Sequence, residues 1–539
     1  MPVSTRQKRS EELLARLRAG EILPREEAEL TVRLAVPAIL AQIAVILMQY
    51  IDAAMVGQLG ARESAAVGLV SSSIWLFFGF TGASVMGFSV QAAHPIGAGD
   101  ITRAKEIVRE GTTTVFWFST AIAMIGIVIA PYLPGWLGGD PSIHVESAAY
   151  FRILLIFLPV MLLGWLWGSF LRVAGDMKTP SVLGVVMCML DVVFNFFLIY
   201  PLRTVYWLGV SFEMPGAGMG VEGAAWGSAA AEVIVAVATL WFLARKSPVL
   251  AHFAGEGNFR PKVLTLKKAL RLALPVGAER VLMCGAQIAS TAIVAPLGVA
   301  AVAAHSLAIT AESLCYMPGY GVSEAATTLV GQSIGAGRRD VARRIAFKCV
   351  AGGMLVMTFM GAVLWFAASV LIGWMTSVSE VIDLATTVLR IEAWAEPMFA
   401  AAIVSYGVFV GAGDTLVPAS MNLASMWFVR LTLALVLAPS YGLAGVWTAM
   451  CIELCVRGSV FLLRLRYGKW AKGAVCQLPA GLLFAWTVAA RERNHADPQV
   501  PAYDAGTQCI LTQFLCTSNT FSLEISGLLI VLKPNFNLA

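Results

Sequence analysis

The sequence predicts an all-α integral membrane protein whose twelve transmembrane helices form two pseudo-twofold-related six-helix bundles. Three observations predict it. Hydrophobic residues make up 58% of the 539-residue chain and charged residues only 13%. Soluble domains carry roughly 25% charge, so this chain lacks the polar residues to cover a water-facing surface. Its apolar runs last about 20 residues or more, enough at about 1.5 Å per residue to cross a hydrocarbon core of about 30 Å. Finally, Ile96-Gly97-Ala98-Gly99 returns as Ile334-Gly335-Ala336-Gly337, an offset of 238 positions that holds along most of the chain.

At that offset Arg33-Leu34-Ala35 and Pro37 meet Arg271-Leu272-Ala273 and Pro275. Arg152 meets Arg390, Pro159 meets Pro397, and Ala174-Gly175-Asp176 with Pro180 meets Ala412-Gly413-Asp414 with Pro418. A register kept over that distance marks a duplication, and duplicated membrane proteins place their site between the halves.

The apolar runs place spans 1 to 6 near 32–57, 67–92, 112–137, 148–171, 180–201 and 220–244, and spans 7 to 12 near 270–297, 303–332, 346–373, 384–410, 418–438 and 443–466. The connection from Arg203 to Gly218 has no equal in the second half, so Gly220 and Gly223 match Gly442 and Gly445 at 222 positions instead. Each half holds an even number of spans and starts and ends on one side. The two halves are therefore parallel repeats about an axis along the membrane normal.

Lysine and arginine set the orientation. Arg103, Lys105 and Arg109 follow span 2, and Arg172 and Lys178 follow span 4. The segment after span 6 has Arg245, Lys246, Arg260, Lys262, Lys267 and Lys268; Arg338, Arg339, Arg343 and Arg344 follow span 8. The opposite loops show only Arg62 and Arg203. This predicts a multi-pass plasma (inner) membrane protein with both termini cytosolic. Its parts are a cytosolic N-terminal segment (1–31), a first lobe (32–244), a cytosolic linker (245–269), a second lobe (270–466) and a peripheral or disordered tail (467–539).

Several functions are disfavoured. A net charge of +5 gives no nucleic-acid footprint, and the nine cysteines include no CxxC pair or nearby histidines for a metal. The charged N-terminus lacks the apolar core of a signal peptide. HExxH does not occur, and the one GxSxG spelling, Gly331 to Gly335, lies in the glycine-rich end of a membrane span and not on a strand-to-helix turn, so the reading is of a non-enzyme without cofactor. Gly97 and Gly99 lack the following Lys-Ser/Thr of a phosphate loop and read as tight turns.

Asp52-Ala-Ala-Met-Val-Gly57-Gln-Leu-Gly60, preceded by Pro37, resembles the first-helix signature of the multidrug and toxic compound extrusion (MATE) transporters. So do Ala303-Ala304-His305, the run Thr328 to Gly337, and the paired Gly175-Asp176 and Gly413-Asp414, over roughly residues 30–466. The resemblance implies two bundles facing across a cleft. It also implies export of organic cations or other amphipathic small molecules, driven by H⁺ or Na⁺ antiport, from a protein read as a monomer in the bilayer. The pattern of the major facilitators is missing from loop 2–3. The alternative within the superfamily is a lipid-linked precursor flippase; such proteins often line the cleft with arginines, whereas here Asp52, Asp191, Glu279 and Glu396 make the interior acidic.

An ionised carboxylate at a helix centre costs about 2.5–3.5 kcal/mol on insertion scales, so it persists where it faces a cavity, pairs or takes up a proton. Asp52 lies in the outer half of span 1 and matches the family motif residue for residue. Its repeat partner is Ser290. Asp191 and Asn195, four apart on span 5, share one helix face; the family's proton-coupled branch tends to carry Asn first and Asp second, so the order is exchanged here. Glu279 on span 7 and Glu396 on span 10 are candidates for a second-lobe cation site. The family's acids stand about one turn later, where this chain has Met283 and lies near Phe399. Na⁺ is an option at Asp52 and Asp191, or at Glu279 and Glu396. Pro37 and Pro275 are candidate hinges, since each removes a backbone bond. Glu392 has Arg390 nearby to neutralise it, and His305 reads as a cap at an outer helix end.

Overall fold

The computed structural model describes residues 5–472, apart from 208, 209, 248, 254, 256 and 377, together with 522–525 and 528–531. The chain divides into two units, Met1–Ala474 and Val475–Ala539. In the second, Ser522–Ile525 pairs antiparallel with Leu528–Val531. The rest of the predicted tail beyond Lys472 lies outside the described residues.

In the first unit, spans 1 to 9 are Pro24–Gly57, Ala61–Ala98, Ile101–Ile129, His144–Val173, Lys178–Ile199, Gly220–Arg245, Val263–Val294, Val299–Gly335 and Arg339–Met375. Most run further toward the basic side than hydropathy predicted, because their basic-side turns continue past the apolar run. Span 3 shows it best: helix starts at Ile101, where Asp100 caps it by accepting from the Arg103 N–H at 3.0 Å. It ends at Ile129, and the predicted last turns become a separate short helix, Leu133–Trp136.

Span 10 is not the single helix expected over 384–410. It consists of Ser379–Ala393 and Glu396–Gly411, bent by 60°. Pro397 sits in the first turn of the second piece, where a proline costs no helical hydrogen bond. Spans 11 and 12 form one helical run, Leu416–Tyr467, of 52 residues. Unbent, that run would reach about 78 Å, far beyond the membrane core. Gly442 breaks it at φ 58°, and the two arms complete a count of twelve crossings among the described residues. Gly220, its partner in the first half, has φ 57°. A hairpin of Pro201–Trp207 with Val210–Ala217 precedes Gly220, which is why the offset changes there.

Span 1 packs along span 8 and span 7 along span 2, while spans 2 and 8 cross. The crossing is built from the repeated glycines. A Cβ on Gly97 would lie 2.1 Å from the Gln332 carbonyl oxygen, and one on Gly335 would lie 2.0 Å from that of His94. These contacts are equivalents under the 238-residue repeat, and only glycine lets the two backbones meet. Two hydrogen bonds follow the same symmetry. His94 Nε2 lies 3.0 Å from the Gly411 carbonyl oxygen, and Gln332 Nε2 donates to that of Val173 at 2.6 Å. Just beyond, Gly99 and Gly337 end their helices at φ 79° and 74°, the left-handed turns expected in place of a phosphate loop.

The N-terminal helix Thr5–Ala19 closes over this face. Leu13, Leu14 and Leu17 are buried with Met177 of loop 4–5, Val341 of span 9 and Trp470. Arg338 Nη2 donates to the Ala19 carbonyl at 2.6 Å. Buried Glu27 of span 1 accepts from Lys348 at 2.5 Å and pairs with Arg344 at 2.9 Å, both on span 9. Packing and ion pairs thus tie the first bundle to the second on the side that carries the basic loops.

Candidate functional site

In the first bundle the three predicted polar residues meet. Asp191 and Asn195 sit on one face of span 5 with no exposed surface. Asn195 Nδ2 donates to Asp52 Oδ1 at 2.9 Å and to Asp191 Oδ2 at 3.1 Å. The amide therefore holds two carboxylates together that would otherwise repel. Asp191 Oδ1 and Asn195 Oδ1 are buried with no hydrogen-bond partner among the described residues, leaving two acceptor oxygens in the cluster for a proton or a cation. Exchanging the order of Asp and Asn does not prevent the cluster, since residues one turn apart on span 5 both reach span 1.

Gly227 of span 6 was missed from sequence. A Cβ there would lie 2.0 Å from Asn195 Oδ1 and 3.0 Å from the Asn195 backbone nitrogen. The absent side chain is the room in which the Asn195 amide sits. Its signal was a glycine inside an apolar helix, a place where glycine costs about 1 kcal/mol against alanine unless packing needs it.

The second bundle is arranged differently. Glu279 of span 7 accepts from Tyr406 Oη of span 10 at 2.5 Å and from Asn422 Nδ2 of span 11 at 2.6 Å. Glu396 stands at the break of span 10, fully buried, and both its carboxylate oxygens lack a partner among the described residues. The same holds for Glu392, on the other side of the break. Glu312 of span 8 is their electrostatic neighbour. Glu279 and Glu396 share no hydrogen-bond partner among the described residues: Glu279 is held by Tyr406, ten residues along the helix from Glu396.

Two smaller expectations change. Arg390 does not reach Glu392; it is exposed and donates to the Trp365 carbonyl. His305 is no cap: its Nδ1 accepts from Trp447 Nε1 at 3.1 Å, tying span 8 to span 12. Arg430 lies in a π-helical turn, Ser425–Arg430, and meets Glu453 at 3.5 Å beside Arg457 at 3.0 Å. Pro37 and Pro275 lie inside helices that continue past them, while the breaks fall at 394–395 and at Gly442.

Comparison with known proteins agrees with this architecture. The MatE family model matches residues 37–197 and 275–436, two segments that begin at the repeat partners Pro37 and Pro275. A Thermotoga maritima protein described as "Probable multidrug resistance protein NorM" is 26% identical over 467 residues, 84% of this chain and 96% of that protein. Its namesake in Pseudomonas aeruginosa is 29% identical over 437 residues, 78% and 85% of the two chains. Among solved structures, a MOP superfamily transporter from Pyrococcus furiosus superposes with a TM-score of 0.75 at 19% identity, over 84% of this chain and 96% of that one. A Vibrio cholerae MATE transporter gives 0.74 at 17% identity, over 85% and 98%. These likenesses carry the twelve-span fold, and the two matched halves cover more than half of the sequence. The chain belongs to the MatE family of multi-pass membrane transporters and is not an enzyme.

Proposed function

We propose that this protein is a secondary active exporter of organic cations or amphipathic small molecules, coupled to H⁺ or Na⁺ antiport by alternating access. Its basic face is the cytosolic one, and its domains are the two six-span lobes and their linker. The observation that carries the reading is the Asp52–Asn195–Asp191 cluster, a half-buried and a fully buried carboxylate bridged by an amide inside a membrane bundle, with two unpartnered oxygens. Such a site has different affinity for a cation in each conformation, which is what coupling requires. The relatives described as multidrug resistance proteins support the substrate class. The cluster sits in one bundle only, because its repeat partners are Ser290 and Val429. Symmetry supplies the moving scaffold and its local loss supplies the ion site.

Efflux of a fluorescent organic cation from inverted vesicles, under an imposed pH gradient and separately under a Na⁺ gradient, tests the reading. The native protein moves the dye under one of the gradients, and Asp52→Asn reduces that rate at least tenfold. Native-like efflux by Asp52→Asn would remove the coupling role. Transport under neither gradient, with rescue of a cell-envelope precursor defect, would favour a lipid flippase.

A further inference from the structure

Span 7 carries a second charge near mid-membrane. Arg280 follows Glu279 directly, but the Glu279 carboxylate is held by Tyr406 and Asn422. Arg280 has no carboxylate partner among the described residues. Its place on the helix says what it faces. Leu274, Val281 and Ile288, spaced by seven, are 64%, 41% and 66% exposed and form the lipid-facing stripe. Glu279, Ala286 and Ser290 form the buried one. Adjacent helix positions diverge by about 100°, so Arg280 points well away from the lipid stripe.

It lies instead on the flank that meets span 2. A Cβ on Gly79 would be 3.7 Å from Arg280 Cβ and 3.9 Å from its Cδ, and one on Gly277 would be 3.5 Å from the Phe80 ring. Tyr320 of span 8, Tyr406 of span 10 and, on span 7 itself, Glu279 and Cys284 are its electrostatic neighbours. Even so, Arg280 is exposed. A guanidinium that is exposed, inside the membrane and off the lipid face lines a water-filled space between the bundles.

We propose that Arg280 is an anion-recognising group in this space, and that the cargo is an amphipathic molecule bearing a carboxylate or a phosphate. This rests on the exporter reading and narrows its substrate class. A guanidinium offers a planar fork of donors that fits two oxygens of one anion, and the carboxylate that acts on it, Glu279, has its oxygens already taken by Tyr406 and Asn422. Tyr316 stacks edge-on against Tyr320 and Phe399, with ring centres 6.0 and 5.6 Å apart, an aromatic surface for the apolar body of the same molecule. A drug-like acid and an anionic lipid headgroup present the same chemistry to Arg280.

The test is equilibrium binding to the purified full-length protein in detergent, read by fluorescence anisotropy, of a rhodamine free acid and its methyl ester. The two share one aromatic cation and differ only in the carboxylate. The native protein binds the acid at least about tenfold more tightly than the ester, the effect of one charge-assisted pair. Arg280→Gln removes that preference while binding the ester as before, which shows an intact fold, and Arg280→Lys keeps part of it. Displacement of the acid by phosphatidylglycerol assigns the anion site to lipid headgroups; no displacement assigns it to drug-like acids. Equal binding of acid and ester by the native protein, or a preference unchanged in Arg280→Gln, overturns the proposal. Because binding is the readout, these results stand apart from the exporter reading, which fails if the native protein moves neither dye in vesicles.

Discussion

A Cβ on Gly331 would lie 3.0 Å from the Cβ of Ala93, and the two residues are repeat partners, 238 positions apart. A residue that touches its own partner marks the pseudo-twofold axis. That axis runs through the crossing of spans 2 and 8, with the Gly97–Gln332 and Gly335–His94 contacts on either side. The bundles are therefore held shut on the basic face at their symmetry axis, where rocking would have to begin.

The paired hydrogen bonds at the crossing are expected to hold it closed. A cysteine at buried Ala93 reacts slowly with a membrane-impermeant maleimide added on the basic face. Gln332→Ala or His94→Ala in that background raises the labelling rate about two- to tenfold, the effect of losing one hydrogen bond. Unchanged labelling in both would show that neither bond contributes to closure.

Gly227→Ala is expected to impair transport without removing any polar group. The added methyl drives Asn195 from between the two carboxylates, at an overpacking cost of about 1–3 kcal/mol. Dye efflux falls at least tenfold while the purified protein still unfolds in one cooperative transition. Native efflux would mean that the Asn195 bridge is dispensable.

Glu27→Ala separates the bundles' stability from their chemistry. The buried carboxylate links span 1 to Arg344 and Lys348 of span 9, so its loss costs about 1–2 kcal/mol, toward the low end because Arg344 is 45% exposed. Thermal unfolding of Glu27→Ala occurs at lower temperature than that of Glu12→Ala, whose pairs lie on the exposed surface of the N-terminal helix. Equal unfolding temperatures would contradict the ranking.

The axis was legible in the sequence because a duplication leaves matching residues at one offset, and Ile96 to Gly99 did so without a gap. Asp191 and Asn195 were legible as one helix face, since four residues is about one turn. The break at 394–395 was hidden: Pro397 has a repeat partner, Pro159, that lies inside an unbroken helix. Hydropathy reads both stretches as apolar. Tyr406 and Asn422 could not be found as the partners of Glu279, because a contact across more than 100 positions leaves no local pattern. Gly227 reads in sequence as one small residue among many, and only the position of the Asn195 amide gives it a role.

The most direct test of the account is a disulfide across the axis, made with Ala93→Cys and Gly331→Cys. Their Cβ positions are 3.0 Å apart, so a shift of less than about 1 Å brings them to the usual disulfide separation. Crosslinking is read as the halves staying joined after protease cleavage within linker 245–269. Oxidation is predicted to stop dye efflux and reduction to restore it, because the crossing must open in each cycle. Efflux at the native rate by fully crosslinked protein would contradict alternating access about this axis.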